Sequence, residues 1–231
     1  MGKIDLTLQT GTGQSVRWGI AFSVLMMIAA PLRAHPHIFV DAEITILFGE
    51  DGQPVGVEIA WVYDEFFSML LVSDMGLDPD FTGTVTEEEQ EILHGFDMNW
   101  IDDYHGDTHV TQGGVPLALT GPVDWSSDYR DGQLRSRHLR HFLDVPDPAR
   151  EWTIAVYDPT YYTSYTLVSQ PQIEGRSDCI AQVFEPDWDA AIETLEAALD
   201  ELLGAGMDIE ADFPAVGALF SDEVRLTCAK P

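Results

Sequence analysis

The chain has 231 residues, and 40 Asp and Glu against 11 Lys and Arg leave a net charge of −29. That balance excludes nucleic acid and anionic lipid as partners, because both gain affinity by recruiting Lys and Arg, and it favours cations. Hydrophobic residues at 45% are enough for the core of one large domain or two small ones.

The first 34 residues have the three-part layout of a secretory signal. Lys3 and Arg17 lie in a mostly polar stretch that precedes an apolar run of 13 residues, Trp18 to Ala30, and Leu32-Arg33-Ala34 offers a cleavage site. The run is too short for a membrane span, which needs roughly 20 apolar residues. Removing residues 1–34 takes away Lys3, Arg17 and Arg33 against Asp5, so the remainder carries −31. The expected organisation is therefore a signal peptide over 1–34 and a single domain over 35–231, located in the periplasm with no transmembrane span in the mature chain.

His37 to Phe48 alternates apolar and polar residues and predicts a strand, with Ile38, Val40, Ala42, Ile44, Ile46 and Phe48 on one face. Asp51-Gly52 marks a turn, and Pro54 to Tyr63 predicts the returning strand. Asp64 is placed to cap a helix from Glu65 to about Gly76. A second helix is expected from about Glu87 to Asp102. From Thr108 the texture is β, with turns at Gly113-Gly114, Gly121-Pro122 and Asp131-Gly132. Strands are expected at Glu151–Tyr157, Tyr161–Val168, Cys179–Phe184 and Val224–Cys228. Asp187 to Leu203 reads as one long amphipathic helix, because Trp188, Ile192, Leu195, Leu199 and Leu202 recur at helical spacing. The expected fold class is α+β: antiparallel strands, an EF-hand-like helix–loop–helix insertion over about 64–102, and a long C-terminal helix.

The insertion carries the sharpest motif. Asp78-Pro79-Asp80-Phe81-Thr82-Gly83-Thr84-Val85-Thr86-Glu87-Glu88-Glu89 follows the twelve-residue calcium loop. Asp78, Asp80 and Thr82 stand at the first, third and fifth positions, where side-chain oxygens ligate. Gly83 stands where the chain must turn sharply, Thr84 gives a carbonyl, and Glu89 closes the shell with two oxygens. Thr82 is neutral where Asp or Asn is usual, and no second loop accompanies this one. The expectation is a structural calcium site rather than a switch.

His35-Pro36-His37 would begin the processed chain. Pro36 favours an extended predecessor, and residues two apart on an extended chain point the same way. His35, His37 and the freed amino group therefore form a candidate site for zinc, nickel, cobalt or copper. His138 and His141 are expected on one strand facing opposite sides, with His141 the buried one. Arg130, Arg135, Arg137 and Arg140 are half of the eight basic residues beyond position 34, and pairing with the protein's own carboxylates is expected of them. The two cysteines, Cys179 and Cys228, permit one pairing or two free thiols. No hydrolase, zinc-protease or phosphate-loop motif occurs, so no catalytic residue is assigned.

Four segments together resemble domain-of-unknown-function family 1007: Ala34-His35-Pro36-His37-Ile38-Phe39-Val40-Asp41, Trp61-Val62-Tyr63-Asp64-Glu65-Phe66-Phe67-Ser68, the calcium-type loop, and Val156-Tyr157-Asp158-Pro159-Thr160-Tyr161-Tyr162. The resemblance implies an exported accessory protein of a nickel, cobalt or zinc transport system whose partner is a membrane metal transporter. Two alternatives stand beside it. One is a calcium-stabilised interaction module without a transition metal. The other is a metal-dependent enzyme using the N-terminal histidine.

Overall fold

A computed structural model describes residues 35–101 and 104–229. The predicted signal peptide lies outside the described residues. Strand β1 (Ile38–Phe48) pairs antiparallel with β2 (Pro54–Tyr63) in unbroken register from Val40↔Tyr63 to Leu47↔Gly56. On β1 the alternation works as the sequence period implies: Val40, Ala42, Ile44, Ile46 and Phe48 are all buried. Helix α1 (Glu65–Asp74) and the short helix α2 (Glu87–Leu93) follow. Then come β3 (Thr108–Gln112), β4 (Val115–Leu117), β5 (Val123–Arg130), β6 (Gln133–His141), β7 (Trp152–Val156), β8 (Thr163–Leu167), β9 (Gln172–Glu174) and β10 (Cys179–Phe184). Helix α3 (Trp188–Ala205), a 3-10 turn (Gly217–Phe220) and β11 (Glu223–Cys228) complete the order.

The strands form two sheets. One runs β5-β6-β2-β1-β8, with β9 also on β1; the other runs β10-β11-β7-β3-β4. Most pairings are antiparallel, but β8 and β9 run parallel to β1. The two sheets share one core, in which Ile44, Ile59 and Trp61 of the first join Val110, Trp152, Ile154 and Leu226 of the second. A smaller cluster lies under α3, where Ala191 and Leu195 meet Val216 and Phe220. Cys179 and Cys228 sit directly opposite each other on β10 and β11 and form a disulfide, which settles the alternative of free thiols.

Two expectations are corrected. The second helix ends at Leu93, well short of Asp102. Gly95 takes φ +71°, and a Cβ there would meet the Trp125 indole nitrogen at 2.8 Å, so the chain turns where a helix cannot continue. On β6 the inward residues are Leu134, Ser136, His138 and Arg140, so His138, at 0% exposure, is the buried histidine. His141 is only half-buried, and Leu143 and Val145 beyond it are exposed. The strand's partner Ile59↔His138 sets that choice of face, which local composition does not carry.

Candidate metal centre

Two of the resemblance-bearing segments meet at the start of β1. Asp158 organises the Tyr157–Tyr162 loop: its Oδ1 accepts from Thr160 N and Thr160 Oγ1, both at 2.8 Å, and its Oδ2 accepts from Thr163 N at 3.0 Å. The loop thereby presents the Tyr162 carbonyl, which receives His37 N at 2.8 Å and Ile38 N at 3.3 Å. A third segment pins the same strand, because Asp64 accepts from Phe39 N with one oxygen and caps α1 at Phe67 N with the other, each at 2.9 Å. The His35–Pro36 bond is cis, and β1 begins only at Ile38.

This framework places the His35 and His37 rings 4.8 Å apart. Tyr162 covers His37 at 4.6 Å, and Phe213 lies against His35 at 3.9 Å. The turn after α3 adds a carboxylate that no sequence pattern indicates. Asp208 accepts from Glu210 N at 3.0 Å, and the turn carries Glu210 Oε2 to 3.6 Å from His35 Nε2. One ligand atom each from His35, His37 and Glu210 lies within 4.8 Å of the others. Among the described residues this is the group of three His, Cys, Asp or Glu side chains close enough to share one ion.

The environments of the three differ. The His35 side chain is only 5% exposed and Glu210 is 60% exposed. Neither ring nitrogen of His35 has a hydrogen-bond partner. Burial, and then the neighbouring His37, lower its pKa, and Glu210 and Asp158 only partly offset them. The polar contact of the His35 ring is thus Glu210, at 3.6 Å, and two nitrogens with one carboxylate oxygen are a donor set of the kind that zinc, nickel or cobalt accepts.

The Asp78–Glu89 loop has a different arrangement. Asp78 is buried and already satisfied: Oδ1 accepts from Thr82 N at 2.7 Å and Thr82 Oγ1 at 2.8 Å, and Oδ2 accepts from Gly83 N at 2.9 Å. Burial pushes the Asp78 carboxyl up, but these bonds outweigh it and the net shift is downward. Thr82 Oγ1 also lies 3.2 Å from the Thr84 carbonyl and 3.0 Å from Thr84 Oγ1, so first, fifth and seventh positions gather their oxygens. Asp80 is exposed. Glu89 is engaged elsewhere, its Oε2 accepting from Thr86 N at 2.9 Å in a capping box that starts α2. The loop is tied to the β5–β6 hairpin through Thr84↔Arg130 and Gly132 N to Gly83 O at 3.1 Å. The oxygens of Asp78, Thr82 and Thr84 fit a cation, and the remaining two positions would have to turn inward to complete a shell.

Two other histidines pack against aromatic rings. His138 stands against Trp61 at 4.8 Å and Trp100 at 5.5 Å, and burial holds its pKa down to about 3. His109 stacks on Tyr157 at 3.8 Å. The arginine island divides: Arg137 pairs with Glu58 and Arg130 with Asp128, whereas Arg140 is buried among carbonyl oxygens. Pairing with the protein's own carboxylates therefore accounts for only part of it.

Residues 20–228 match the model of a family described as a protein of unknown function, DUF1007. The chain belongs to that family. For this DUF1007 member no curated protein gives a match. Among solved structures, an acetylcholine-binding protein type 1 of Biomphalaria glabrata is similar at 14% identity and a TM-score of 0.37, covering 93% of this chain and 98% of that one. A likeness at that level assigns this DUF1007 chain neither a fold nor a ligand.

Proposed function

We propose that this protein is an exported accessory of a transition-metal transport system, which holds a zinc, nickel, cobalt or copper ion at His35, His37 and Glu210 and exchanges it with a membrane transporter. The observation that carries the reading is the meeting of three ligand atoms within 4.8 Å around a buried imidazole that has no other partner. His37 and Glu210 are exposed, so an ion would be held at the surface with positions left open for transfer. The net charge of −29 raises the local cation concentration without choosing among metals. Export agrees with the signal layout and with a disulfide, which persists in oxidising compartments. Among the described residues no helix is long and apolar enough to cross a membrane. Titrating zinc, nickel, cobalt and copper into the chain processed to His35, a version with one extra residue before His35, Glu210→Gln, and His35→Ala with His37→Ala tests the site. Loss in the double histidine variant and weakening in Glu210→Gln support it. Equal affinity in all four sinks it, and a loss in the extended version alone assigns the ion to the N-terminal amine.

A calcium site of an EF-hand-like insertion at Asp78, Asp80, Thr82, Thr84 and Glu89 is the second part of the proposal, supported by the gathered oxygens of Asp78, Thr82 and Thr84. Glu89 would leave its capping role to join the ion. If calcium raises the melting temperature while no transition metal binds, the protein is a calcium-stabilised interaction module instead.

A further inference from the structure

Helix α3 is seated by one end. Its buried residues, Ala191 and Leu195, lie in the first half, and from 196 to 215 no residue of the helix or of the turn that follows is buried. Leu203 and Met207 stand exposed. The hydrogen bonds of the turn are local: Met207 N donates to Leu202 O at 3.0 Å, Asp212 N to Asp208 O at 2.8 Å, and Glu210 N to Asp208 Oδ1 at 3.0 Å. A segment with few buried apolar contacts sits at the low end of local stability and opens without unfolding the rest.

Both ends of that segment are fixed. Leu195 packs with Val216 and Phe220. Gly217 N donates to Pro159 O at 3.0 Å, and a Cβ at Gly217 would collide with the Asp158 carbonyl oxygen. The 3-10 turn therefore lies directly on the loop that presents the Tyr162 carbonyl to His37. Between its fixed ends the segment reaches the start of β1 through His35, by the Phe213 ring at 3.9 Å and by Glu210 Oε2 at 3.6 Å. His37 is thus tied to the sheet, and Glu210 rides on a loosely held arm.

We propose that an ion at His35, His37 and Glu210 latches this arm, residues 196–214, onto the start of β1, and that the arm opens when the ion leaves. The inference rests on the metal reading of that corner and adds to it a way for a partner to tell the loaded protein from the empty one. A ligand shifts an equilibrium between two states only by its preference for one of them. Glu210 supplies that preference, because the third ligand is in reach only when the arm is closed. Opening carries Phe213 and Glu210 away from His35, so the empty form shows a partner an uncovered imidazole and a free phenyl ring in place of a closed corner.

Hydrogen–deuterium exchange of the chain processed to His35, read by mass spectrometry beside a calorimetric zinc titration, tests the latch. With zinc at about ten times its Kd, backbone amides over 196–214 should exchange about tenfold more slowly than without zinc, while those of Val40 to Phe48 stay unchanged. Glu210→Gln, with zinc raised to about ten times its own Kd, should hold the ion on the histidines and show no slowing in the arm. His35→Ala with His37→Ala should show no slowing at the zinc concentration used for wild type; slowing there would come from zinc on the acidic surface and overturn the latch. Zinc bound by the wild type with no slowing over 196–214, or slowing that persists in Glu210→Gln, overturns the latch and leaves a metal site standing. Absence of zinc binding overturns both the latch and the metal reading.

Discussion

The His35 corner and the Asp78–Glu89 loop are both rich in metal-binding residue types, yet they stand in opposite states. In the corner a buried imidazole has both nitrogens without partners. In the loop a buried carboxylate takes three hydrogen bonds from the loop itself, and the glutamate that would close a calcium shell caps a helix. The difference lies in who satisfies the polar group. A loop that supplies its own donors holds its shape without an ion. In the corner the His35 ring meets the Glu210 carboxylate at 3.6 Å and makes no hydrogen bond, which is the arrangement the proposed ion would complete.

The largest effect expected is on the loop. Asp78→Ala leaves Thr82 N, Thr82 Oγ1 and Gly83 N without their acceptor and should cost about 3 kcal/mol of stability, read from urea unfolding in chelator. If that cost appears only when calcium is present, the loop is built around the ion and the contrast with the corner fails. Next in size is the corner: His35→Ala with His37→Ala should weaken zinc binding by about 100-fold, or about 2.7 kcal/mol, with little change in unfolding. Zinc affinity that survives the double change would move the site elsewhere.

His138 sharpens the comparison, because it too is a buried imidazole whose nitrogens have no partner, but it is walled by Trp61 and Trp100 and not joined by a second ligand. Its pKa is depressed to about 3 by burial and by the nearby Arg140 charge, against 6.5 in the unfolded chain. Between those values the unfolded chain binds a proton that the native one refuses, so stability falls as pH drops below 6.5. His138→Phe should remove about 2 kcal/mol of that loss between pH 7 and pH 5, measured as the difference in unfolding free energy, and should leave zinc affinity unchanged. Asp107 works in the other direction, since burial raises its pKa to about 6 despite bonds from Tyr104 and Tyr165, and its native form gains stability as pH falls through 6. A wild-type chain with no acid loss in that range would show that Asp107 offsets His138. The smallest effect belongs to Glu89→Gln. Losing part of the capping box costs about 1 kcal/mol or less in chelator. The same variant should also lose any calcium-dependent rise in melting temperature, and a rise equal to wild type would place the ion without Glu89.

Much of the fold was legible because the strands' hydrophobic period is local. Val40 to Phe48 on β1 bury the residues that alternation selects, and Asp64 caps α1 where its position before the helix indicates. The second helix misled, since the left-handed turn at Gly95 depends on Trp125 filling the space beside it. The pairing of Trp61, Trp100 and His138 was not legible either, because it requires register between strands.

By itself the sequence determined the α+β class, the family resemblance and the pairing of His35 with His37 across one proline, all of which rest on contiguous patterns. Tertiary structure alone decided that Glu210 joins them. That carboxylate lies in a run of acidic residues beyond α3, and only the packing of Phe213 on His35 and the Asp208-capped turn bring it to 3.6 Å. The burial of Arg140 was likewise decided by register, since a one-residue slip of β6 would send that guanidinium to solvent. Local period selects which residues share a face. Long-range pairing selects what that face meets, and a binding site is made of such meetings.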